Sequence, residues 1–176
     1  MDDPAGRGNM DAGVRELAAR LSAAAAAPGL RLATAESCTG GLVAKTITDL
    51  PGASRCYAGG VVAYANDVKV RELGVDADVL ESSGAVSRPV ALQMARGVLH
   101  RFSADVALAV TGIAGPGGGT SAKPVGTVWV AVALADRTAL ARRFGFAGDR
   151  RAVRERSVAE ALRMALEAVE GRTFRQ

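Results

Sequence analysis

The strongest constraint on the fold is a near-continuous apolar segment, residues 104–111, which runs directly into a glycine-rich segment, residues 112–124. An unbroken apolar strand is typical of a sheet that is covered on both faces. Residues 125–135 have the same character and predict the next strand, and residues 138–146 predict an antiparallel partner for it. This pattern indicates a layered α/β domain.

Further predicted strands and helices precede and follow these three strands in the sequence. Residues 30–35 predict a buried strand, and residues 56–65 predict a second strand that Gly59 and Gly60 interrupt with a bulge or a close backbone approach. Apolar periodicity and capping residues predict the helices near residues 14–27, 42–50, 66–74, 76–82, 87–102 and 149–169.

The composition fits one domain, since 176 residues, 49% of them hydrophobic, suit a single core. We predict a single three-layer α/β/α domain, residues 12–172, with a mixed, mostly parallel sheet, after a disordered leader, residues 1–11. Asp2 and Asp3 stand where a secretion signal is basic, and no apolar run approaches the roughly 20 residues of a membrane span. A cytoplasmic protein with no membrane association is expected.

Residue counts argue against several common kinds of site. The only histidine, His100, falls on the polar side of a predicted helix, which nearly excludes a Ser-His-Asp triad and a histidine-rich zinc site. Cys38 and Cys56 form no disulfide framework. The net charge of +4 suits nucleic acid, but the arginines are scattered and only 4% of the residues are aromatic. We expect no metal, no cofactor and no nucleic-acid partner.

The basic residues are unevenly divided, because only three of the 22 are lysines: Lys45, Lys69 and Lys123. Arginine stays protonated, whereas a lysine amine loses its proton when its pKa is lowered. Each lysine is therefore a candidate base, although codon usage alone explains most of them.

Lys69 has the most informative surroundings. If Asn66 caps the helix that follows, Lys69 lies in the first turn, where the helix dipole lowers the pKa of its amine. Asn66 can then face the same cleft, and Tyr64, at the end of a strand, can offer its hydroxyl there. The alternative is that Lys69 is a solvated residue on a surface helix.

The turn from the first predicted strand to the second predicted helix carries Ser37. Such a turn places Ser37 beside backbone N–H groups and the positive end of a helix dipole, where an oxyanion is stabilised. Gly40 and Gly41 allow a substrate to approach the backbone, and Thr39 shares the turn. Two alternatives remain: Ser37 or Thr39 only caps the helix, or Cys38 is the nucleophile, although it lacks a histidine partner.

The glycine-rich segment 112–124 follows a buried strand, at the sheet edge where α/β domains bind ligands. It matches neither a phosphate loop, because no Gly-Lys-Ser/Thr occurs, nor a dinucleotide fingerprint. Thr111 at the strand end and Gly112 and Gly115 in the loop are candidate substrate contacts. The alternative is a flexible connection.

Three arginines, Arg150, Arg151 and Arg154, crowd the first turns of the last helix, where positive charge opposes the macrodipole. This placement suits a bound anion such as a phosphate, for which Arg150 is the candidate contact. A solvated arginine face is the alternative.

A family resemblance is carried by residues 34–41, 60–69, 84–87, 111–116 and 123–128. In that order these segments resemble the C-terminal domain of the competence- and damage-inducible protein CinA, including its stand-alone form, nicotinamide-nucleotide amidohydrolase. The resemblance spans roughly residues 30–154, and the stand-alone type is expected.

The resemblance implies a Ser-Lys amidohydrolase in which Ser37 is the nucleophile, Lys69 its base and Tyr64 an assistant. It implies conversion of nicotinamide mononucleotide to nicotinate mononucleotide and ammonia, without a metal, in a homo-oligomer for which the last helix is a candidate interface. The alternatives are a non-catalytic nucleotide-binding or interaction module of the same family, and a DNA-binding protein that uses the arginines.

Overall fold

The computed structural model describes the backbone of residues 4–171 and the side chains of residues 12–171. The helices are α1 (Pro4–Ala26), α2 (Leu42–Thr48), α3 (Asn66–Leu73), α4 (Ala77–Ser83), α5 (Arg88–Arg101) and α6 (Arg150–Val169). The strands are β1 (Leu32–Glu36), β2 (Tyr57–Val62), β3 (Val106–Gly112), β4 (Thr127–Leu134) and β5 (Ala139–Gly145). A single 3₁₀ turn, Ala53–Arg55, precedes β2.

The strands form one sheet in the order β2-β1-β3-β4-β5. β1 is parallel to β2 and β3, and β4 is antiparallel to β3 and β5. Four strands therefore share one direction, which confirms the mixed, mostly parallel sheet and the predicted hairpin of β4 and β5. Leu32 pairs with Tyr57 and Ala33 with Gly59, so β2 carries one extra residue at the predicted bulge.

The two faces of the sheet differ in side-chain size. On one face, branched side chains such as Val106, Leu108 and Val130 pack against α1, α2 and α6. On the other face the alternate positions are alanines, among them Ala107 and Ala131, which pack against the apolar side of α5. The strands are buried on both faces because helices cover both, which confirms the three-layer α/β/α fold.

Two boundaries differ from the sequence predictions. The residue that caps α3 is Ala65, in extended backbone, and Asn66 is the first residue of the helix. The prediction that Asn66 is the cap is therefore wrong, and Lys69 is the fourth helical residue. α1 begins at Pro4, within the segment predicted to be a disordered leader. No helix in the described part of the chain is long and apolar enough to cross a membrane.

Candidate active site

A cavity of about 280 Å³, here called the cleft, opens at the carboxyl ends of the parallel strands. Ser37 follows β1, Tyr64 lies just beyond β2, and Thr111 is near the end of β3. Because parallel strands end at the same sheet edge, segments far apart in sequence meet there. The lining residues are Ser37, Cys38, Tyr64, Asn66, Lys69, Ala85, Val86, Thr111, Gly112, Ile113, Ala114, Gly115, Gly117, Gly118 and Arg150.

Eight of the predicted site residues lie together in the cleft, and three do not. Thr39 is fully buried, Gly40 is exposed and Gly41 is half-buried, and none of the three lines the cavity. All three belong to the turn from β1 to α2, where Gly40 has φ 59° and Gly41 has φ 90°. Glycine adopts this left-handed conformation without a side-chain penalty, which lets the chain turn sharply into α2.

Ser37 is held by its backbone on both sides. Its N–H donates to the carbonyl of Val110 at 2.9 Å, and its own carbonyl accepts from the N–H of Gly40 at 3.0 Å. The residue is only 8% exposed and lines the cleft. The strand-to-helix turn therefore fixes Ser37 at the cleft.

Glu36, the last residue of β1, was not singled out from the sequence, and its carboxylate binds the start of α2. Its carboxylate is 1% exposed and accepts from the N–H groups of Val43 at 3.0 Å and Ala44 at 2.8 Å. These are first-turn donors, and a carboxylate also complements the positive end of the helix dipole. Glu36 therefore uses two of the backbone donors at the start of α2, and an oxyanion at Ser37 would have to use other N–H groups of the turn.

We expect Glu36→Gln to lower the free energy of unfolding by about 1–3 kcal/mol. The amide removes one of the two acceptors for the α2 donors and places an NH₂ group against a buried N–H. Urea unfolding at pH 7 measures the difference. Glu160→Gln, which neutralises the partner of Arg163 in a surface ion pair, is the matched control and should cost under about 1 kcal/mol. Equal losses in the two variants would contradict this role for Glu36.

Lys69 is the largest fully buried side chain in the described part of the chain, at 1% exposure. Its Nζ donates to the carbonyls of Ala63 at 2.8 Å and Tyr64 at 3.0 Å. Burial lowers the pKa of the Lys69 amine below 10.5, and the nearby Cys38 and Asp67 act more weakly in the opposite direction. Lys69 is therefore not a solvated surface residue.

The other two lysines have ordinary surroundings. Lys45 is exposed and forms an i,i+4 ion pair with Asp49. Lys123 is half-buried and donates to the carbonyl of Ser83 at 2.8 Å, which ties the glycine-rich loop to the end of α4. Only Lys69 combines burial with a place in the cleft.

Arg150 joins two walls of the cleft. Its Nη1 donates to the carbonyl of Gly115 at 2.8 Å, and its Nη2 donates to the hydroxyl of Tyr64 at 2.8 Å. Tyr64, 58% exposed, thus presents its hydroxyl to Arg150 and its carbonyl to Lys69. The guanidinium places a positive charge at the rim of the cleft.

The floor of the cleft near β3 is closely packed. Thr111 is 1% exposed, and its hydroxyl donates to the carbonyl of Ala85 at 2.9 Å. A Cβ on Gly112 would lie 2.6 Å from the side chain of Val128, so a larger residue does not fit there. Thr111 can still accept a hydrogen bond from a ligand.

Cys38 is a poor nucleophile in this position. Its thiol is 5% exposed, and burial is the main reason that its pKa is raised to about 11, with the Glu36 charge adding to the shift. About one thiol in 10⁴ is then ionised at pH 7. His100 is exposed at the end of α5, as predicted, and no group of three metal-ligating side chains occurs among the described residues.

Comparisons with known proteins identify the same family by sequence and by structure. Residues 14–169 match the family model of the CinA C-terminal domain. The chain is 56% identical over 148 residues to a CinA-like protein of Mycolicibacterium gilvum, which covers 84% of this chain and 35% of the relative. It is 49% identical over 160 residues to a CinA-like protein of Mycobacterium tuberculosis, which covers 91% of this chain and 36% of the relative. The chain thus spans about a third of the length of these relatives.

Solved structures agree with the sequence match. The competence/damage inducible protein CihA from Agrobacterium tumefaciens superposes with a TM-score of 0.87 at 44% identity, over 90% of this chain and 96% of that one. A CinA superfamily protein from Klebsiella pneumoniae gives 0.86 at 36% identity, over 90% and 98%. The chain belongs to the CinA C-terminal domain family.

Proposed function

We propose that the protein is an amidohydrolase that converts nicotinamide mononucleotide to nicotinate mononucleotide and ammonia. The observation that carries the proposal is that the buried Lys69 and Ser37 line the same cleft. The choice of substrate rests on the family resemblance. The positive charge of Arg150 at the rim suits the phosphate of the nucleotide, and the apolar side chains of Val86, Ile113 and Ala114 suit the pyridine ring.

A neutral amine can make both hydrogen bonds of Lys69, and its burial favours that form. A neutral amine has two N–H donors and one lone pair, and the carbonyls of Ala63 and Tyr64 accept two hydrogen bonds from Nζ. The lone pair is then left for a third direction. Buried carbonyls and low solvent access hold the amine in place while its pKa is lowered.

The proposed reaction has two half-reactions. Ser37 Oγ attacks the carboxamide carbon as its proton passes to Lys69 Nζ, and the C–N bond then breaks as Lys69 returns the proton to the departing ammonia. Water next attacks the acyl-enzyme, loses a proton to Lys69, and breaks the bond to Ser37 Oγ. Nicotinate mononucleotide leaves, and the serine recovers its proton.

The test is an ammonia assay with purified protein and nicotinamide mononucleotide. We expect saturable release of one ammonia for each nicotinate mononucleotide formed. Nicotinamide riboside, which lacks the phosphate, is the matched substrate and should show a higher KM if Arg150 binds the phosphate. Saturable nucleotide binding without ammonia release over hours would instead identify a non-catalytic module.

We also propose, on the family resemblance, that the protein forms a homo-oligomer. Light scattering of the purified protein measures the mass, and a mass near the 17.9 kDa of one chain would contradict the proposal.

A further inference from the structure

We infer that Arg154 is a positioning residue that sets the orientation of Ser37 through a single peptide group. This inference rests on the proposed function, because it assigns Arg154 to the reaction of Ser37. Arg154 belongs to α6, does not line the cleft, and lies 115 residues from Thr39 in sequence. Its Nη2 nevertheless donates to the carbonyl of Thr39 at 2.6 Å.

The connection from Arg154 to Ser37 runs through the peptide bond between Thr39 and Gly40. The oxygen of this peptide accepts from Arg154, and its N–H donates to the carbonyl of Ser37 at 3.0 Å. A peptide group is planar and rigid, so fixing its oxygen also fixes the direction of its N–H. The guanidinium therefore constrains the backbone of Ser37 without touching it.

The surrounding geometry leaves little freedom in this connection. A Cβ on Gly40 would lie 3.6 Å from Arg154 Nη2, so the guanidinium lies directly against the turn. Thr39 is fully buried, and its hydroxyl has no hydrogen-bond partner among the described residues. Hydrogen bonds to its backbone therefore hold the turn between Ser37 and Gly41. The hydrogen bond from Arg154 is the one that α6 contributes.

The hydrogen bonding of Arg154 is incomplete, which is unfavourable for the stability of the fold. Its Nε is buried without a hydrogen-bond partner in the described part of the chain, and leaving a buried donor unpaired is unfavourable. Buried polar groups without a hydrogen-bond partner break a general rule of protein stability, and such exceptions are concentrated at functional sites. One turn earlier on the same helix, Arg150 contacts Tyr64 and Gly115. The two arginines, four residues apart, therefore connect α6 to three segments that surround the cleft.

The test is the steady-state kinetics of Arg154→Ala with nicotinamide mononucleotide. We expect kcat to fall about 10- to 100-fold, because a small displacement of a nucleophile has effects of this size. KM should change less than about threefold, since Arg154 does not line the cleft. The pH at which the rate is half-maximal should change little, because burial of Lys69 is the main cause of its pKa shift. A general loss of stability would not produce this combination.

Two further variants complete the kinetic test. Arg154→Lys keeps a charge and a single donor, and it should recover part of the lost kcat. Arg163→Ala removes an exposed arginine of the same helix, paired with Glu160, and should leave kcat unchanged. A folded Arg154→Ala protein with wild-type kcat would overturn the inference. If Arg154→Ala does not fold, Arg154→Ser takes its place, and wild-type kcat together with wild-type hydrogen exchange in Arg154→Ser would also overturn the inference.

Hydrogen exchange separates this inference from the proposed function. In Arg154→Ala, the amides of residues 38–42 should exchange at least about tenfold faster than in the wild type, with no change in β4. If the wild type releases no ammonia, the proposed function fails. The role of Arg154 can then still be tested by hydrogen exchange and by the rate at which a fluorophosphonate labels Ser37. Unchanged exchange in residues 38–42 would overturn it.

Discussion

Replacing Lys69 with arginine is expected to lower kcat/KM for ammonia release at least about 10³-fold. The guanidinium keeps the positive charge but cannot lose its proton, so it cannot accept the proton of Ser37. It is also larger than the amine that lies between the carbonyls of Ala63 and Tyr64. Lys69→Ala, which removes the amine altogether, should show a loss of the same size.

Lys45→Arg is the matched control for Lys69→Arg. It is the same substitution at an exposed lysine, where the ion pair with Asp49 can re-form, and it should retain wild-type kcat/KM. Circular dichroism and thermal unfolding establish that each variant is folded. A folded Lys69→Arg protein with more than a tenth of the wild-type activity would exclude Lys69 as the base.

The Lys69 assignment also has a pH signature. Because the neutral amine is the active form, kcat/KM should rise with pH through the pKa of Lys69 in the folded protein, which lies below 10.5. The unfolded chain keeps its proton up to about 10.5, so between these two values the unfolded state binds more protons and stability increases with pH. Lys69→Met should remove this part of the pH dependence of unfolding.

The fold was largely predictable because its signals are local. Continuous apolar strands, the Gly59 bulge and the hairpin of β4 and β5 each follow from a short stretch of sequence. The sheet-edge rule predicted only that the glycine-rich segment after β3 binds a ligand. The pairing of Ser37 with Lys69 came from the family resemblance.

The details that the sequence did not predict depend on contacts between distant segments. Ala65 rather than Asn66 caps α3, a one-residue difference that residue preferences do not decide. Thr39 does not line the cleft, and the backbone of its turn is bound to Ser37 and to Arg154. Glu36 ends a buried strand and bonds to backbone seven and eight residues later, a spacing outside the usual capping patterns.

The lowering of the Lys69 pKa has a different origin from the one predicted. The sequence argument relied on the dipole at the start of α3, and the structure places the amine in a buried position where desolvation is the main cause. Burial of a lysine depends on how α3 packs against the rest of the domain, which periodicity does not reveal. The direction of the shift was nevertheless as predicted.

Ser37→Ala is expected to reduce kcat at least about 10⁴-fold while nucleotide binding persists, because the change removes the attacking oxygen and little else. The backbone bonds of Ser37 to Val110 and Gly40 do not involve its side chain, so the turn should keep its shape. Ammonia release measures the first effect, and calorimetric titration with nicotinamide mononucleotide measures the second.

Cys38→Ala distinguishes the two candidate nucleophiles, since both side chains line the cleft. With a thiol pKa of about 11, Cys38 is almost entirely protonated at pH 7, and its loss should leave at least a tenth of the wild-type kcat. Mass spectrometry should find the acyl group on the peptide that contains Ser37 in wild type and in Cys38→Ala, and none in Ser37→Ala. If Ser37→Ala stays active and Cys38→Ala does not, the thiol is the nucleophile and Lys69 must then act on Cys38.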